Sequence, residues 1–188
     1  MEKALKQVVL KAQGIQKALL TISREIMERH PSLENVVLIG IRTGGAYLAY
    51  RIQKQIKILA GYAPRVGILD INLYRDDWTR ISQMPVVGKT EINISLTNKE
   101  VILIDDVLYT GRTVRAAMDA LMDFGRPSQI ELAVLVDRGH RELPIAPQYV
   151  GIVQKTQKDE KVNVYLREMG NRDQVTLEPI KAQVTGKT

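Results

Sequence analysis

The sequence contains no cysteine. That absence excludes disulfides and thiolate metal sites, and it agrees with a reducing compartment such as the cytoplasm. Long hydrophobic runs are also missing: the apolar stretches fall well short of the about 20 residues that a membrane-spanning helix takes. No early segment joins a basic region to an uninterrupted apolar one, so no secretory signal is expected. Internal repeats and low-complexity tracts are absent as well. What remains is the composition of an ordinary globular chain, 45% hydrophobic and 26% charged, whose 188 residues can bury a self-sufficient core. One domain is expected over residues 1–180, with 181–188 a disordered tail that carries no core pattern. Lys and Arg outnumber Asp and Glu by 27 to 21. The excess suits a polyanionic ligand or nucleic acid and equally a basic soluble surface, so charge alone selects neither.

Periodicity supplies the elements. Ile15, Ala18, Leu19, Ile22 and Ile26 form the stripe of an amphipathic helix over 13–30, closed by Pro31. The run 36–41 is short, branched and continuously apolar, as a strand buried on both faces of a parallel sheet must be. A second helix is expected over 46–59 after Gly44-Gly45, and a strand over 66–73. Residues 74–89 are polar and aperiodic, a length of loop that is usually mobile or functional. Strands at 101–104 and 130–136 bracket a helix at 113–124, which Gly125-Arg126-Pro127 ends. Shorter strands follow at 149–152 and 162–166, the latter paired as a hairpin with 175–177. Strands alternating with helices predict an α/β fold with a mostly parallel central sheet.

Ligands of such sheets bind beyond the carboxyl ends of the strands. The strand at 101–104 delivers Asp105 and Asp106 there, and a short loop turns at once into a helix. Gly111 lets backbone N–H groups approach an anion, Thr110 and Thr113 add hydroxyls, and the helix start adds partial positive charge. A phosphate fits that loop. Two adjacent carboxylates beside it would repel unless something else were held, and a sugar's paired hydroxyls with a divalent cation would satisfy them. The plainer alternative is a helix-capping turn, but carboxylate pair, glycine, hydroxyls and strand–loop–helix context coincide here.

The segment Val101–Thr113 resembles the phosphoribosyl pyrophosphate (PRPP) signature of type I phosphoribosyltransferases. Further runs are more specific: Leu73-Tyr74-Arg75-Asp76-Asp77, Gly125-Arg126-Pro127, and above all the long run from Leu132 to Ile145 with its Asp137-Arg138-Gly139-His140-Arg141-Glu142-Leu143-Pro144 core. By these, over residues 10–178, the chain resembles the PyrR family, pyrimidine-operon attenuation regulators with uracil phosphoribosyltransferase activity. It implies the type I phosphoribosyltransferase fold, helices flanking the sheet, a small hood over about 140–178 with the N-terminal region, and a flexible lid at 74–89. The implied catalytic residues are Asp105, Asp106 and Arg75. PRPP or nucleotide would be bound by Arg42, Thr43, Gly44, Val107, Leu108, Tyr109, Thr110, Gly111, Arg112 and Thr113. Uracil would be bordered by Asp137, Arg138 and Val162, largely through backbone groups. Mg2+ would enter with PRPP near the two aspartates, with no direct protein ligand assigned. Implied partners are PRPP, uracil, UMP or UTP and a pyrimidine-operon leader mRNA, for a cytoplasmic homodimer or larger homo-oligomer with no membrane association.

Two places depart from the family's pattern. Thr43-Gly44-Gly45 stands where Thr-Arg-Gly is common, removing a charge-assisted contact from the pyrophosphate loop. Ala146 and Ile152 stand where an arginine and a lysine are common, which thins the basic face expected to meet RNA phosphates. Arg24, Arg29, Arg141, Lys155 and Lys158 are the candidates to replace them, although Arg24 and Arg29 equally suit a solvated helix face. His30 is read as structural, a cation at a helix end. His140 is open between a loop-shaping and a simply satisfied role, and Trp78 between a surface aromatic and a partner contact. Two rival readings stand beside the regulator–enzyme: a phosphoribosyltransferase without RNA binding, acting even on a purine base, and a regulator with little or no catalysis.

Overall fold

A computed structural model describes residues 6–71 and 90–180. The lid expected at 74–89, with Arg75 and Trp78, and the tail at 181–188 lie outside the described residues. Five strands form a parallel sheet in the order β3-β2-β4-β5-β6: β2 Val36–Ile41, β3 Arg65–Leu69, β4 Glu100–Leu108, β5 Gln129–Asp137 and β6 Tyr149–Val153. The helices are α1 Ala12–Arg29, α2 Gly44–Ala60 and α3 Arg112–Leu121. Three antiparallel strands make a second sheet in the order β1-β8-β7, from β1 Gln7–Lys11, β7 Glu160–Tyr165 and β8 Gln174–Pro179.

Alternation along β4 explains why its run had to be apolar throughout. Ile102 and Ile104 enter a core shared with α1, α2 and the small sheet, while Val101 and Leu103 enter a second core with Val114, Ala117 and Leu121 of α3. Both faces are covered, so both parities are buried. Two glycines then let α2 start hard against the sheet. A Cβ on Gly45 would lie 2.2 Å from the Ile104 carbonyl oxygen, and one on Gly40 would lie 2.6 Å from the Ala46 Cα.

Several expectations need correction. β4 does not end at residue 104; its pairing with β5 continues through Asp105↔Val134 to Leu108↔Asp137, so both carboxylates belong to the strand. The helix at 113–124 is shorter, ending at Leu121 and tightening into a 3-10 turn over Met122–Phe124 before Gly125. β1 was not anticipated: its five residues alternate weakly, and they are ordered by pairing with β8, more than 160 positions away. β6 falls within the span expected for the hood, yet it forms the edge of the central sheet. The strand at 162–166 does pair antiparallel with the 175–177 segment.

Arg51 of α2 fastens the small sheet to the large one. It bonds Glu168 through Nε at 2.9 Å and Asp173 through Nη1 at 2.9 Å and Nη2 at 2.8 Å. Hydrogen bonds from Arg51 hold the Glu168 carboxyl below its usual range; for Asp173 burial pulls upward, but bonds from Arg51 and the Arg167 N–H outweigh it. Arg51→Met keeps the aliphatic packing and removes the fork. It is expected to lower unfolding free energy by about 1–2 kcal/mol, read as a reduced urea midpoint.

Candidate active site

Three strand ends converge to build the site. β4 brings Asp105 and Asp106. Asp105 is 7% exposed and its Oδ1 accepts the Asp106 N–H at 2.9 Å, while Asp106 Oδ1 accepts the Val107 N–H at 2.8 Å. Burial pushes the Asp106 carboxyl above the ordinary aspartate range, although these hydrogen bonds pull the other way. A carboxylate so desolvated next to another favours a cation or hydroxyl donors beside it. Among the described residues no cluster of three or more His, Asp or Glu side chains could hold a metal by itself. The two carboxylates are oxygen donors of the kind that Mg2+ takes.

The loop after β4 is the candidate anion cradle. Gly111 sits at φ 92° as the residue before α3, a conformation that a side chain would strain, and its carbonyl accepts the Arg115 N–H at 2.9 Å. Thr110 Oγ1 accepts the Arg112 N–H at 3.4 Å, and its carbonyl accepts the Glu142 N–H at 2.9 Å. A cavity of about 290 Å3 is lined by Asp105, residues 107–114 and Glu142. It thus contains every residue from Val107 to Thr113 assigned to the phosphate. Glu142 was not anticipated; it pairs with Arg112 at 2.8 Å.

β2 brings the loop expected to meet the pyrophosphate. The Arg42–Thr43 peptide is cis, the Arg42 N–H bonds the Leu69 carbonyl at 2.9 Å, and α2 begins at Gly44. A Cβ on Gly44 would fall 2.3 Å from Asp106 Oδ2, so the carboxylate occupies the space into which a side chain would project. Arg42 reaches toward Asp70 at 4.0 Å and Glu91 at 3.7 Å. Glu91 carried no sequence signal; it arrives through an isolated bridge to Ile68.

β5 brings Asp137. Its Oδ1 accepts the Gly139 N–H at 2.9 Å and its Oδ2 pairs with Arg141 at 2.6 Å. Arg138 is buried beneath the loop, and the Val162 side chain is buried in the core, which leaves only backbone for that residue to offer a base. His140 makes a satisfied contact at φ 60°, its Nε2 lying 2.7 Å from the Thr156 carbonyl.

The basic candidates divide. Arg24, Lys155 and Lys158 are exposed. Arg29 is exposed but bonds Glu131 at 3.3 Å, with its guanidinium 5.6 Å from the Tyr149 ring centre. Arg141 is directed inward, donating to the Ile145, Tyr109 and Gly139 carbonyls as well as to Asp137. No helix among the described residues is long and apolar enough to cross a membrane.

A parallel sheet whose central strand hands two carboxylates to a glycine-turned phosphate cradle defines a phosphoribosyltransferase, and the phosphoribosyl transferase domain family matches residues 7–166. Solved structures agree on the fold. A hypoxanthine phosphoribosyltransferase from Staphylococcus aureus aligns with a TM-score of 0.68 at 22% identity, covering 92% of both chains. One from Trypanosoma cruzi, bound to IMP, gives 0.68 at 18% identity, covering 95% of this chain and 93% of that one. Relatives narrow the class. "Bifunctional protein PyrR" of Desulfosudis oleivorans is 52% identical over 178 residues, 94% of this chain and 98% of its own. The Bacillus cereus protein of the same name is 54% identical over 174 residues, 92% and 97% respectively. The chain belongs to the PyrR family.

Proposed function

We propose that this chain transfers phosphoribose from PRPP to uracil, giving UMP and pyrophosphate, and that it also binds a pyrimidine-operon leader mRNA as a uridine-nucleotide-responsive attenuation regulator. The observation that carries the first half is the close approach of Gly44 to Asp106, where a Cβ would fall 2.3 Å from the carboxylate, so that the loop after β2 lies beside the carboxylate pair. The cradle at 107–113 would hold the 5-phosphate through backbone N–H groups and threonine hydroxyls. Asp105 and Asp106 would meet the ribose hydroxyls and offset positive charge that develops on the ribose as the bond to pyrophosphate breaks. Arg42, with Thr43 and Gly44, would face the leaving pyrophosphate, and Arg75 would reach it from the lid. Mg2+ entering with PRPP would neutralise part of that leaving charge. Asp137, Arg138 and the backbone at Val162 would border uracil.

A panel of bases incubated with PRPP and Mg2+ tests this: UMP is expected, and transfer to hypoxanthine but not uracil would overturn it. Gly44 favours one second reading, a nucleotide-binding regulator with little turnover, because it supplies no cation to the leaving group. Nucleotide binding without measurable UMP formation would select that reading.

The RNA half draws support from the family and from the exposed Arg24, Lys155 and Lys158 on α1 and the β6–β7 connection. A gel-shift titration against the leader RNA, with and without UMP, is expected to show nucleotide-dependent binding; no binding at low salt would sink it. Replacing both Arg24 and Lys155 by alanine is expected to flatten the slope of log affinity against log salt by about 0.7 for each phosphate left unneutralised. We place this activity in the cytoplasm, in a homodimer or larger homo-oligomer.

A further inference from the structure

Arg138 is 5% exposed, yet its hydrogen bonds go to uncharged groups. Its Nε donates to the Thr156 hydroxyl at 3.2 Å, and its Nη2 donates to the carbonyls of Gln157 at 3.4 Å and Glu160 at 2.7 Å. Glu160 is the first residue of β7, so these bonds hold the turn by which the chain enters the small sheet. The Cζ of the same guanidinium lies over the Tyr109 ring, 4.0 Å from its centre. Tyr109 belongs to the phosphate cradle. Its carbonyl accepts from Arg141 Nη1 at 3.1 Å, and the His140 ring meets its own ring edge-on at 6.0 Å. The Arg138 backbone N–H completes the connection, donating to the Leu108 carbonyl at 3.1 Å.

One planar cation thus holds two separate pieces of the site. Its N–H groups hold the 156–160 turn while its Cζ lies over an aromatic ring in the cradle, a fixed fork of donors beside a ring contact that a lysine's single ammonium does not reproduce. We propose that Arg138 is a positioning residue for the transfer. It fixes the cradle, through Tyr109, against the turn that leads into the small sheet, and so sets the separation of the ribose phosphate from its acceptor. The proposal rests on the reading of the site as a uracil phosphoribosyltransferase. The Tyr109 contact uses the ring face, so phenylalanine can supply it and leucine cannot.

A double-mutant cycle tests the strut. Tyr109→Leu and Arg138→Lys are each expected to lower kcat for UMP formation by about 10- to 100-fold, the scale of a misplaced but intact site. The KM for PRPP should change much less, because the cradle's backbone donors remain. Tyr109→Phe should restore most of what Tyr109→Leu loses, and the double variant should be no slower than the worse single one. Multiplying losses in the double variant, or full kcat in Tyr109→Leu, would overturn the proposal. If Arg138→Lys does not fold, the Leu and Phe variants at the partly exposed Tyr109 still decide it. Amide hydrogen exchange separates this proposal from the activity itself. In the strut, Tyr109→Leu speeds exchange at 156–160 and Tyr109→Phe does not; unchanged exchange in both refutes it even in a protein that makes no UMP.

Discussion

Asp106→Ala is expected to form UMP with a kcat lower by roughly 100- to 1,000-fold, while melting at the same temperature as the wild type or above it. The two halves have one cause. Burial raises the Asp106 carboxyl above its ordinary range, so its charged form is held in surroundings that disfavour it. A group that binds its proton more tightly folded than unfolded weakens the fold wherever it is ionised, and that cost fades as pH falls through its folded value. Alanine removes the cost at neutral pH, so any gain in melting temperature should disappear in acid. Turnover runs in the opposite sense. In the proposed transfer the desolvated carboxylate would offset positive charge on the ribose, and the start of α2 at Gly44 lies close against it. The acid limb of kcat/KM, which reports the free enzyme, should therefore lie above the usual aspartate range and be lost in the variant's residual activity. Near-normal UMP synthesis by Asp106→Ala would remove this residue from the chemistry.

How far the sequence discloses such a site depends on whether the relevant contacts are local. The cradle was legible because carboxylates, glycine and threonines follow one another within nine residues, and backbone geometry alone aims them at one point. The apolar runs of β2 and β4 were legible for the same reason, since burial on both faces leaves no alternation to interrupt. The end of β4 was not: polar Asp105 and Asp106 read as the end of a strand, yet pairing with β5 carries the strand to Leu108. β1 was hidden because it is ordered by β8 at the far end of the chain. Arg141 was read as facing RNA. Its side chain instead holds carbonyls and a carboxylate within the protein, and the Arg138 side chain likewise bonds carbonyls of the 156–160 turn, partners no spacing rule could supply. Glu91 and Glu142 were missed because each meets its arginine, Arg42 and Arg112, only after the sheet has assembled.

His30 carries the other large effect, and it illustrates the same limit. At the end of α1 it reads as a cation answering the helix dipole, and its N–H does close the helix on the Ile26 carbonyl at 2.9 Å. Its ring, only 5% exposed, lies at the opposite ends of the strands from the cradle. There Nδ1 is 2.6 Å from Glu100 Oε2, Nε2 is 2.8 Å from Glu131 Oε2, and the Tyr149 hydroxyl donates to that same Glu131 oxygen at 2.5 Å. Each ring nitrogen thus lies within hydrogen-bond distance of a carboxylate oxygen. Burial pushes the Glu131 carboxyl up, but the bonds from Tyr149 and His30, with Arg29 beside them, outweigh it and leave the group below its usual range. His30→Ala takes away the ring that both acids share, leaving Glu131 with Tyr149 and Arg29. It is expected to cost about 3 kcal/mol, the lower end for a broken buried pair because Glu100 is partly exposed and Glu131 keeps two partners, and a urea titration would read it as a drop in midpoint. A carboxyl depressed in the folded state contributes stability above its unfolded value and loses it as pH falls through the folded one. The gap between wild type and His30→Ala should consequently narrow in acid, below the ordinary glutamate range, where Glu131 takes up its proton. At temperatures where the variant stays folded, UMP formation should be nearly that of the wild type, because the cluster and the cradle lie at opposite ends of the strands. A gap that stays constant into acid would mean that the cost comes from lost packing and not from the carboxylates' loss of the ring.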